Sequence, residues 1–491
     1  MSDDSILSRI LFKIFCPVLL LGVSLHAAEI RPPNILFILI DDQGSSTLSC
    51  YGGKQVPTPN IDRLAQQGIR FTDAYVMPQC TPTRAALLSG QHTARNGMWH
   101  VIPWYGSPWA RVAEPMFRDQ YPREEANLPK ALRAAGYKTG MAGKWHLNTN
   151  RDGDYMSLKQ AAGDAYGFDF VAPRGEGSQN EGDKWVDHLT DQAISFIKSN
   201  KDQPWFFYLA HHTLHAKLSA PPELVKKYLA QGAPAEGLHN ATYLAAIEHM
   251  DNSIGRLMAA LEEMKLRENT LVVFLTDNGG VYQQMDFKSA TESSPLKVAH
   301  EEFANAPLRA GKGSAYEGGI RVPCIVRWPA QVKAEQVCET PIHVTDWMPT
   351  LLAVAGAKAP DKHPLDGVSL LPLLQGEFLT ERPLFWYMPL YDLRWAATPC
   401  AVIRVGDWKL IESFGDWFDP QNIYQTGAHL ELYNLRQDLG EKHDLSTVAK
   451  SRAEAMQSQL HQWMASVPVP IPSSNAQFDV TRQFEESKIK P

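Results

Sequence analysis

Three segments of the chain are almost entirely apolar and rich in residues that favour β-strands. They are Asn34–Ile40 (NILFILI), Trp205–Ala210 (WFFYLA) and residues 271–276 (LVVFLT). A strand buried on both faces of a mostly parallel sheet gives such a continuous run, whereas a half-buried strand alternates polar and apolar residues. We therefore predict three buried strands of one sheet.

Polar residues follow each run immediately. In chain order these pairs are Asp41 with Asp42, His211 with His212, and Asp277 with Asn278. Ligands of an open α/β sheet bind beyond the carboxyl ends of its strands. We therefore expect these side chains to line a functional site.

Helical patterns lie between the strands, at residues 61–67, 128–135 and 243–264. Strands that alternate with helices predict an α/β fold, in which a large, mostly parallel sheet is covered by helices on both faces. After about residue 376 the pattern changes to short strands around turns, at residues 383–388, 400–405, 408–413 and 430–435. These strands predict a smaller antiparallel sheet.

The first 28 residues have the layout of a secretory signal, with Arg9 and Lys13 before an apolar run at 14–25 and Ala27 and Ala28 after it. The run is shorter than the roughly 20 residues of a membrane span. We expect an exported protein, periplasmic or extracellular, without a stable membrane span once the signal is removed. An uncleaved anchor is the alternative.

The predicted organisation has four parts. Residues 1–28 form the signal peptide, 29–376 the large α/β domain that carries the site, 377–466 a small α+β domain, and 467–491 a tail. The tail is Pro- and Ser-rich at first and then polar. Such a tail either wraps the surface or stays mobile.

Composition and charge exclude some classes of protein. Of the 491 residues, 44% are hydrophobic and 21% charged, which is typical of a folded globular protein. The net charge is -7 and no long basic run occurs, so nucleic acid is not an expected partner.

The cysteines indicate one thiol with its own chemistry. Cys16 leaves with the predicted signal, and five others remain: Cys50, Cys80, Cys324, Cys338 and Cys400. An odd number in an exported protein suggests a special role for one of them. Cys80 is the candidate, and Cys324 and Cys338 are near enough in sequence to form a disulfide.

Asp41, Asp42, Asp277 and Asn278 offer hard oxygen ligands at the ends of two strands. Such a set suits Ca²⁺ or Mg²⁺ better than zinc. The alternative is that Asp and Asn occur there because they favour turns and helix caps.

Cys80 precedes a helical pattern. The segment Cys80-Thr81-Pro82-Thr83-Arg84 leads into AALLSG, with Pro82 in the first turn. A thiol at a helix N-terminus predicts a nucleophile of low pKa. A buried, inert cysteine is the alternative.

This Cys-x-Pro-x-Arg segment resembles the maturation signal of the formylglycine-dependent sulfatases, a family of the alkaline phosphatase superfamily. Other segments resemble the same family in the same order, with arylsulfatases and N-acetylgalactosamine-sulfatase-like members nearest. They are TPNIDRL (58–64), AGKWHL (142–147), TDNG (276–279), GK (311–312), EGGIRVP (317–323) and ELYNL (431–435). The resemblance implies an alkaline phosphatase-like fold and sulfate ester hydrolysis.

The resemblance also implies roles for individual residues. A formylglycine-generating maturation enzyme would oxidise Cys80 to formylglycine (3-oxoalanine) before folding, and the hydrated aldehyde would attack sulfur. The metal, Ca²⁺ rather than Mg²⁺, would be held by Asp41, Asp42, Asp277, Asn278 and the modified Cys80.

The remaining implied roles concern cations and proton transfer. Arg84 would steady the nucleophile, and Lys144 and Lys312 would bind sulfate oxygens. His146 would contact the hydrated aldehyde and help it expel sulfate. His215 would protonate the departing alcohol.

The assignment of His215 rests on a segment that departs from the family pattern. The family usually has His-x-Pro-His and a further proline two positions on, whereas residues 212–217 read HTLHAK. Both prolines are missing. His212 is therefore the alternative to His215.

Residues 97–123 are rich in aromatic and basic side chains, which suit a sugar ring with anionic groups. The stretch before His100 also resembles that of N-acetylgalactosamine-4-sulfatase-like members. We predict a sulfated carbohydrate as substrate; packing of the loop is the alternative. The candidate contacts are His100, Trp104, Trp109, Arg111 and His212.

Two other functions compete with this prediction. A phosphomonoester, phosphodiester or phosphonate hydrolase of the same superfamily would use a similar metal site. An inactive protein that binds sulfated glycans would keep the fold without the chemistry.

Overall fold

A computed structural model describes residues 31–104, 106–148, 153–154, 157–178, 181–467 and 469–486. The predicted signal peptide lies outside these residues. The large sheet contains β1 Asn34–Ile40, β2 Ile69–Phe71, β3 Lys138–Gly143, β4 Phe170–Val171, β5 Trp205–Ala210, β6 Thr270–Thr276, β7 Cys324–Arg327 and β8 Gln336–Cys338.

The helices of the described residues fall between and after these strands. They are α1 Pro59–Gln66, α2 Cys80–Ser89, α3 Thr93–Asn96, α4 Leu128–Ala134, α5 Gln160–Gly163, α6 Val186–Ser199, α7 Pro222–Ala230, α8 Ala241–Glu263, α9 Glu317–Ile320, α10 Trp347–Ala355, α11 Leu371–Leu374 and α12 Lys450–Ser466. No helix of the described residues is long and apolar enough to cross a membrane.

The eight strands are ordered β8-β2-β7-β6-β1-β5-β3-β4. All run in the same direction except β7, which is antiparallel to both β6 and β2. The three apolar runs are neighbours at the centre of the sheet, as β6, β1 and β5. The predicted α/β fold with a large, mostly parallel sheet is confirmed.

β1 is apolar on both faces because both faces are covered. Ile35, Phe37 and Leu39 pack into the core that contains residues of α2, α4 and α10. The alternate residues, such as Leu36 and Ile38, pack against α1, α6 and α8. A layer of helices on each side explains why the sequence shows no polar alternation here.

The C-terminal region forms the predicted smaller antiparallel sheet. Its strands are β9 Leu384–Met388, β10 Cys400–Val405, β11 Trp408–Ser413 and β12 His429–Asn434, hydrogen-bonded in that order. Residues of α12 share a core with the inner side of this sheet. The described residues from Pro32 onward form one compact unit.

Short two-stranded pairs complete the β-structure of the described residues. They are Ala74–Tyr75 with Ile342–His343, Val112–Ala113 with Ser473–Ser474, Gly153–Asp154 with Ser157–Leu158, Gln283–Asp286 with Lys297–Glu301, and Asp416–Phe418 with Tyr424–Thr426. The second pair joins the described part of the tail to the aromatic stretch at 97–123.

The structure leaves Cys324 and Cys338 unpaired, although their closeness in sequence allowed a disulfide. Both are free, as are Cys50, Cys80 and Cys400. Cys324 on β7 and Cys338 on β8 are both in register with Phe71, because β2 runs between those two strands. Two strand spacings, roughly 10 Å, exceed the reach of a disulfide.

Candidate active site

The order of the strands brings the predicted acidic residues together. β1 and β6 are parallel neighbours with Ile40 opposite Thr276, so Asp41, Asp42, Asp277 and Asn278 emerge side by side. The backbone N–H of Asp42 donates to Asp277 Oδ1 at 3.2 Å. Ligand atoms of Asp41, Asp42, Cys80 and Asp277 all lie within 4.8 Å of one another.

Each of the three carboxylates has a cationic partner. Lys144 Nζ lies 2.5 Å from Asp41 Oδ2, and Lys312 Nζ lies 2.7 Å from Asp42 Oδ2. Arg84 Nη2 lies 2.7 Å from Asp277 Oδ2. Buried charges are tolerated when they are paired in this way. Lys144 follows β3, whereas Lys312 comes from the loop before α9.

The donor set fits a hard divalent cation. Three carboxylates and one amide converge, and the buried Oδ1 of Asn278 makes no hydrogen bond to any described residue. A buried oxygen without a donor is costly unless a ligand satisfies it. The amide nitrogen of Asn278 donates to Asp42 Oδ1 at 2.7 Å, which fixes the side chain. Oxygen donors of this kind are those that Ca²⁺ and Mg²⁺ prefer.

Cys80 is the first residue of α2, as predicted. Its Sγ lies 3.3 Å from Asp41 Oδ1, and the side chain is fully buried. Burial raises the pKa of the Cys80 thiol well above its usual value, and the charges of Asp277 and Asp41 raise it further. These surroundings favour the alternative, a buried and inert thiol, because burial and two carboxylates outweigh the helix N-terminus.

His146 lies on the segment after Lys144, and its backbone carbonyl accepts a hydrogen bond at 2.9 Å from Oγ1 of Thr81, the residue after Cys80. Its Nε2 lies 2.6 Å from the Ile102 carbonyl oxygen, and its backbone adopts φ 55°. Burial lowers the pKa of His146 well below its usual value, with the charge of Lys144 as the next cause. The ring is therefore neutral in this arrangement.

The two alternative histidines have different surroundings. A ring nitrogen of His215 lies within 4.8 Å of ligand atoms of both Asp41 and Cys80, and its Nδ1 lies 2.6 Å from the Ala216 carbonyl oxygen. Burial and the charges of Lys312 and Lys144 lower the pKa of His215 to about 3. His212 is buried edge-on against Trp185, with ring centroids 5.7 Å apart. Neither ring nitrogen of His212 bonds a described residue.

The candidate substrate contacts fall into two groups. His100 and Trp104 are buried and stacked at 4.2 Å, near the start of α2. Trp109 lies under the Arg482 guanidinium at 3.4 Å, and Arg111 contacts Asp416 at 3.1 Å and Glu292 at 2.9 Å. The second group is therefore engaged by the tail and by neighbouring carboxylates.

Several polar residues near the site gave no signal in the sequence. Gln79, Asp392 and Arg394 form a hydrogen-bonded group next to Cys80. Lys184 is buried and donates to the Lys217 carbonyl at 2.9 Å. Burial lowers the pKa of Lys184 to about 8, and Asp41 is among its charged neighbours. Gln79 is the N-cap of α2 and Arg394 lies in a short 3-10 helix, and none of these residues is part of a motif that the sequence analysis used.

Fold and site together define a hydrolase of sulfuric esters. The sulfatase family model matches residues 33–357, and the model for the C-terminal region of N-sulphoglucosamine sulphohydrolase matches residues 311–469. The chain belongs to the sulfatase family.

Individual relatives cover nearly the whole chain. Human arylsulfatase A is 33% identical, over 90% of this chain and 89% of the relative. Human N-acetylgalactosamine-6-sulfatase is 31% identical, over 87% of this chain and 84% of the relative. The crystal structure of Ps i-CgsB in complex with k-i-k-neocarrahexaose has a TM-score of 0.69 and 27% identity, covering 91% and 95% of the two chains.

Proposed function

We propose that this protein hydrolyses a sulfate ester carried by a carbohydrate, using a formylglycine made from Cys80 and a bound Ca²⁺. The observation that carries the proposal is the buried convergence of Cys80, three carboxylates and three cationic side chains at the edge of the sheet. A sulfate ester needs a nucleophile beside fixed positive charge, and this arrangement offers both.

The electrostatics of its position make the unmodified Cys80 thiol poorly suited to act as the nucleophile, which supports a conversion of this residue. With its pKa raised, the thiol remains protonated and is a poor nucleophile. As formylglycine it would supply a hydrated aldehyde, with one oxygen to attack sulfur and a second hydroxyl to release sulfate afterwards. The modification requires a formylglycine-generating maturation enzyme as partner.

Asp41, Asp42, Asp277, Asn278 and the modified Cys80 would hold the metal. When bound, Ca²⁺ supplies a Lewis acid that polarises the sulfate group and orients it. Lys144 and Lys312 each use one ammonium proton on a carboxylate, which leaves two N–H donors for sulfate oxygens. Arg84 fixes Asp277 through two hydrogen bonds.

Two histidines would move protons. If His146 Nε2–H donates to the Ile102 carbonyl, its Nδ1 is the basic nitrogen and can accept a proton from a hydroxyl at residue 80. His215, whose Nδ1–H would donate to the Ala216 carbonyl, would need a second proton on Nε2, as the imidazolium, and would pass that proton to the leaving alcohol. Its proximity to Cys80 supports His215 over His212 in this role.

The names of relatives support a carbohydrate substrate. One relative is named for an N-acetylgalactosamine sulfate, and one similar structure was solved with a neocarrahexaose. The candidate contacts Trp109, Arg111 and His212 remain part of this proposal, whereas the role of His100 and Trp104, which are buried and stacked on each other, becomes indirect. The signal-like residues 1–28 support export, and the net charge of -7 gives no reason to expect nucleic acid.

The test is sulfate release by protein whose aldehyde at residue 80 has been confirmed by mass spectrometry. The panel comprises sulfated mono-, oligo- and polysaccharides, an aryl sulfate and an aryl phosphate. Sulfate release from a sugar supports the proposal, and phosphate release without sulfate release replaces it with a phosphoesterase. Binding without release favours a sulfated-glycan-binding protein.

Two variants tie the activity to this site. Cys80→Ala and Lys312→Ala should each lower kcat/KM by about 100-fold or more, since each removes a group that acts on the transition state. Wild-type rates in either variant contradict the assignment. Near-ultraviolet circular dichroism of each variant checks that the fold is intact.

A further inference from the structure

A short segment between β9 and β10 lies over the site. Asp392 Oδ2 accepts a hydrogen bond from Gln79 Nε2 at 2.6 Å, and Gln79 directly precedes Cys80. The Trp395 ring lies against Gly313, where an added Cβ would come within 2.2 Å of Trp395 Cδ1. Gly313 directly follows Lys312. The segment 392–395 therefore extends from the nucleophile to one of the sulfate-binding lysines.

Arg394 is held rigidly within this segment. Its Nε donates to Asp392 Oδ1 at 2.8 Å and its Nη2 to Asp392 Oδ2 at 2.7 Å, which is a bidentate pair. The guanidinium lies 5.6 Å from the centroid of Trp104, whose ring also stacks on His100. Asp392, His100 and Trp104 are all buried. Buried residues thus orient Arg394 without being open to substrate themselves.

One end of the guanidinium is still available. Nη1 makes no hydrogen bond to any residue that the structure describes, and the Arg394 side chain is 31% exposed. Besides Asp392, the titratable groups close enough to raise the pKa of Arg394 are Glu486 of the tail and, after it, Cys80. Arg394 is therefore pre-oriented by Asp392 near the reacting position, and its Nη1 keeps N–H groups that bond no described residue.

We propose that Arg394 recognises a second anionic group of the substrate, next to the sulfate that is cleaved. The inference rests on the proposed sulfatase function and specifies its substrate class. The group is a carboxylate of a uronic acid or a second sulfate ester, because both present paired oxygens that match a guanidinium edge. Asp392, His100 and Trp104 are positioning residues that act through Arg394.

The alternative role for Arg394 is only that of a counter-ion to Asp392. That role predicts a stability effect and no effect that depends on the substrate. Recognition of an anion predicts a loss confined to substrates that carry one. Binding measurements on sugars that differ only in the extra anionic group therefore distinguish the two roles.

The first measurement is equilibrium binding to Cys80→Ala protein, which does not depend on turnover. Three sulfated disaccharides are compared: one neutral apart from the scissile sulfate, one with an adjacent uronate and one with a second sulfate. Arg394→Gln should weaken binding of at least one doubly anionic sugar about 10- to 100-fold, and change binding of the singly sulfated sugar less than about twofold. Which of the two is affected identifies the group.

The second measurement is the same comparison of kcat/KM in aldehyde-confirmed enzyme, where the loss should appear in KM. Arg394→Lys keeps the positive charge but lacks the paired N–H donors of the guanidinium, so it should retain more affinity than Arg394→Gln. Arg436→Gln is the matched control, since that arginine pairs with Asp407 and its side chain is 72% exposed. Equal changes on all three sugars, or none, overturn the proposal. Discrimination in binding with no sulfate release from any ester would instead contradict the sulfatase function.

Discussion

The Arg84 guanidinium and the Asp277 carboxylate form an ion pair in which both side chains are fully buried, with Nη2 and Oδ2 2.7 Å apart. Arg84 Nη1 also donates to the Lys144 carbonyl at 2.9 Å. One side chain of α2 therefore connects the ends of β6 and β3. The geometry of the site depends on this connection.

Replacement of Arg84 by Met should lower the free energy of unfolding by about 3 to 5 kcal/mol, because Asp277 is left buried without its partner. Urea unfolding monitored by circular dichroism measures the loss. The matched control is Arg256→Met, which removes an exposed pair with Asp187 and should cost about 1 kcal/mol or less. An equal loss in the free energy of unfolding for the two variants would contradict a larger contribution from the buried ion pair.

Gly313 should not tolerate a side chain. Its φ of 84° disfavours any residue with a Cβ, and that Cβ would meet the Trp395 ring. Gly313→Ala should displace both Trp395 and the neighbouring Lys312, and lower kcat/KM for a sulfated sugar by at least about 10-fold. Gly376→Ala distinguishes backbone strain from the contact of the added Cβ, since Gly376 has a similar φ of 82° but open space around it. If that control loses activity equally, the contact with Trp395 is not the reason.

His92 should make the protein sensitive to acid. Burial lowers the pKa of His92 to about 4, and Arg382 and Arg95 act in the same direction against Asp366. Between that pKa and the unfolded value of about 6.5, the unfolded chain binds more protons than the folded one. Stability therefore rises with pH across this window and is lost as pH falls.

At pH 4 the unfavourable protonation balance of His92 should lower the free energy of unfolding by about 3 kcal/mol relative to pH 8. Urea unfolding of wild type and His92→Gln at pH 4, 5, 6 and 8 measures it, with a flatter dependence expected for the variant. At pH 8 the pH slopes of the two proteins should agree. Parallel curves down to pH 4 would contradict a buried, neutral His92.

The sequence alone predicts the centre of the sheet and the acidic part of the site. Asn34–Ile40 and Thr270–Thr276 are apolar on both faces, so their burial is encoded locally, and the residues after them must emerge at one edge. The sequence left the pairing of Cys324 with Cys338 open, since sequence separation does not reveal that β2 lies between them. The choice between a low-pKa thiol and an inert one at Cys80 also needed the structure, because burial and carboxylates distant in sequence raise its pKa.

Arg394 could not be predicted in the same way. It lies in a short 3-10 helix, Leu393–Trp395, between two antiparallel strands, and although Asp392 is close in sequence, Gln79 and Trp104 come from a distant part of the chain. No periodicity or spacing encodes such a group. The tertiary structure was needed to bring these residues together.

The five cysteines of the described residues should be free in the folded protein. Alkylation of the denatured protein without reductant should label Cys50, Cys324, Cys338 and Cys400, together with any Cys80 that has not been converted. A reductant should leave Tm unchanged. Detection by mass spectrometry of a peptide that joins Cys324 to Cys338 would contradict this prediction.

The central position of β1 has a consequence for biosynthesis. Its partners on either side, β5 and β6, begin at Trp205 and Thr270, so the first apolar strand leaves the ribosome long before either neighbour exists. At about 5 to 20 residues per second, roughly 8 to 33 s separate β1 from β5. An apolar strand with open edges is prone to aggregate during that time. We expect the yield of folded protein to depend on chaperones that shield Asn34–Ile40 until the sheet can close around it.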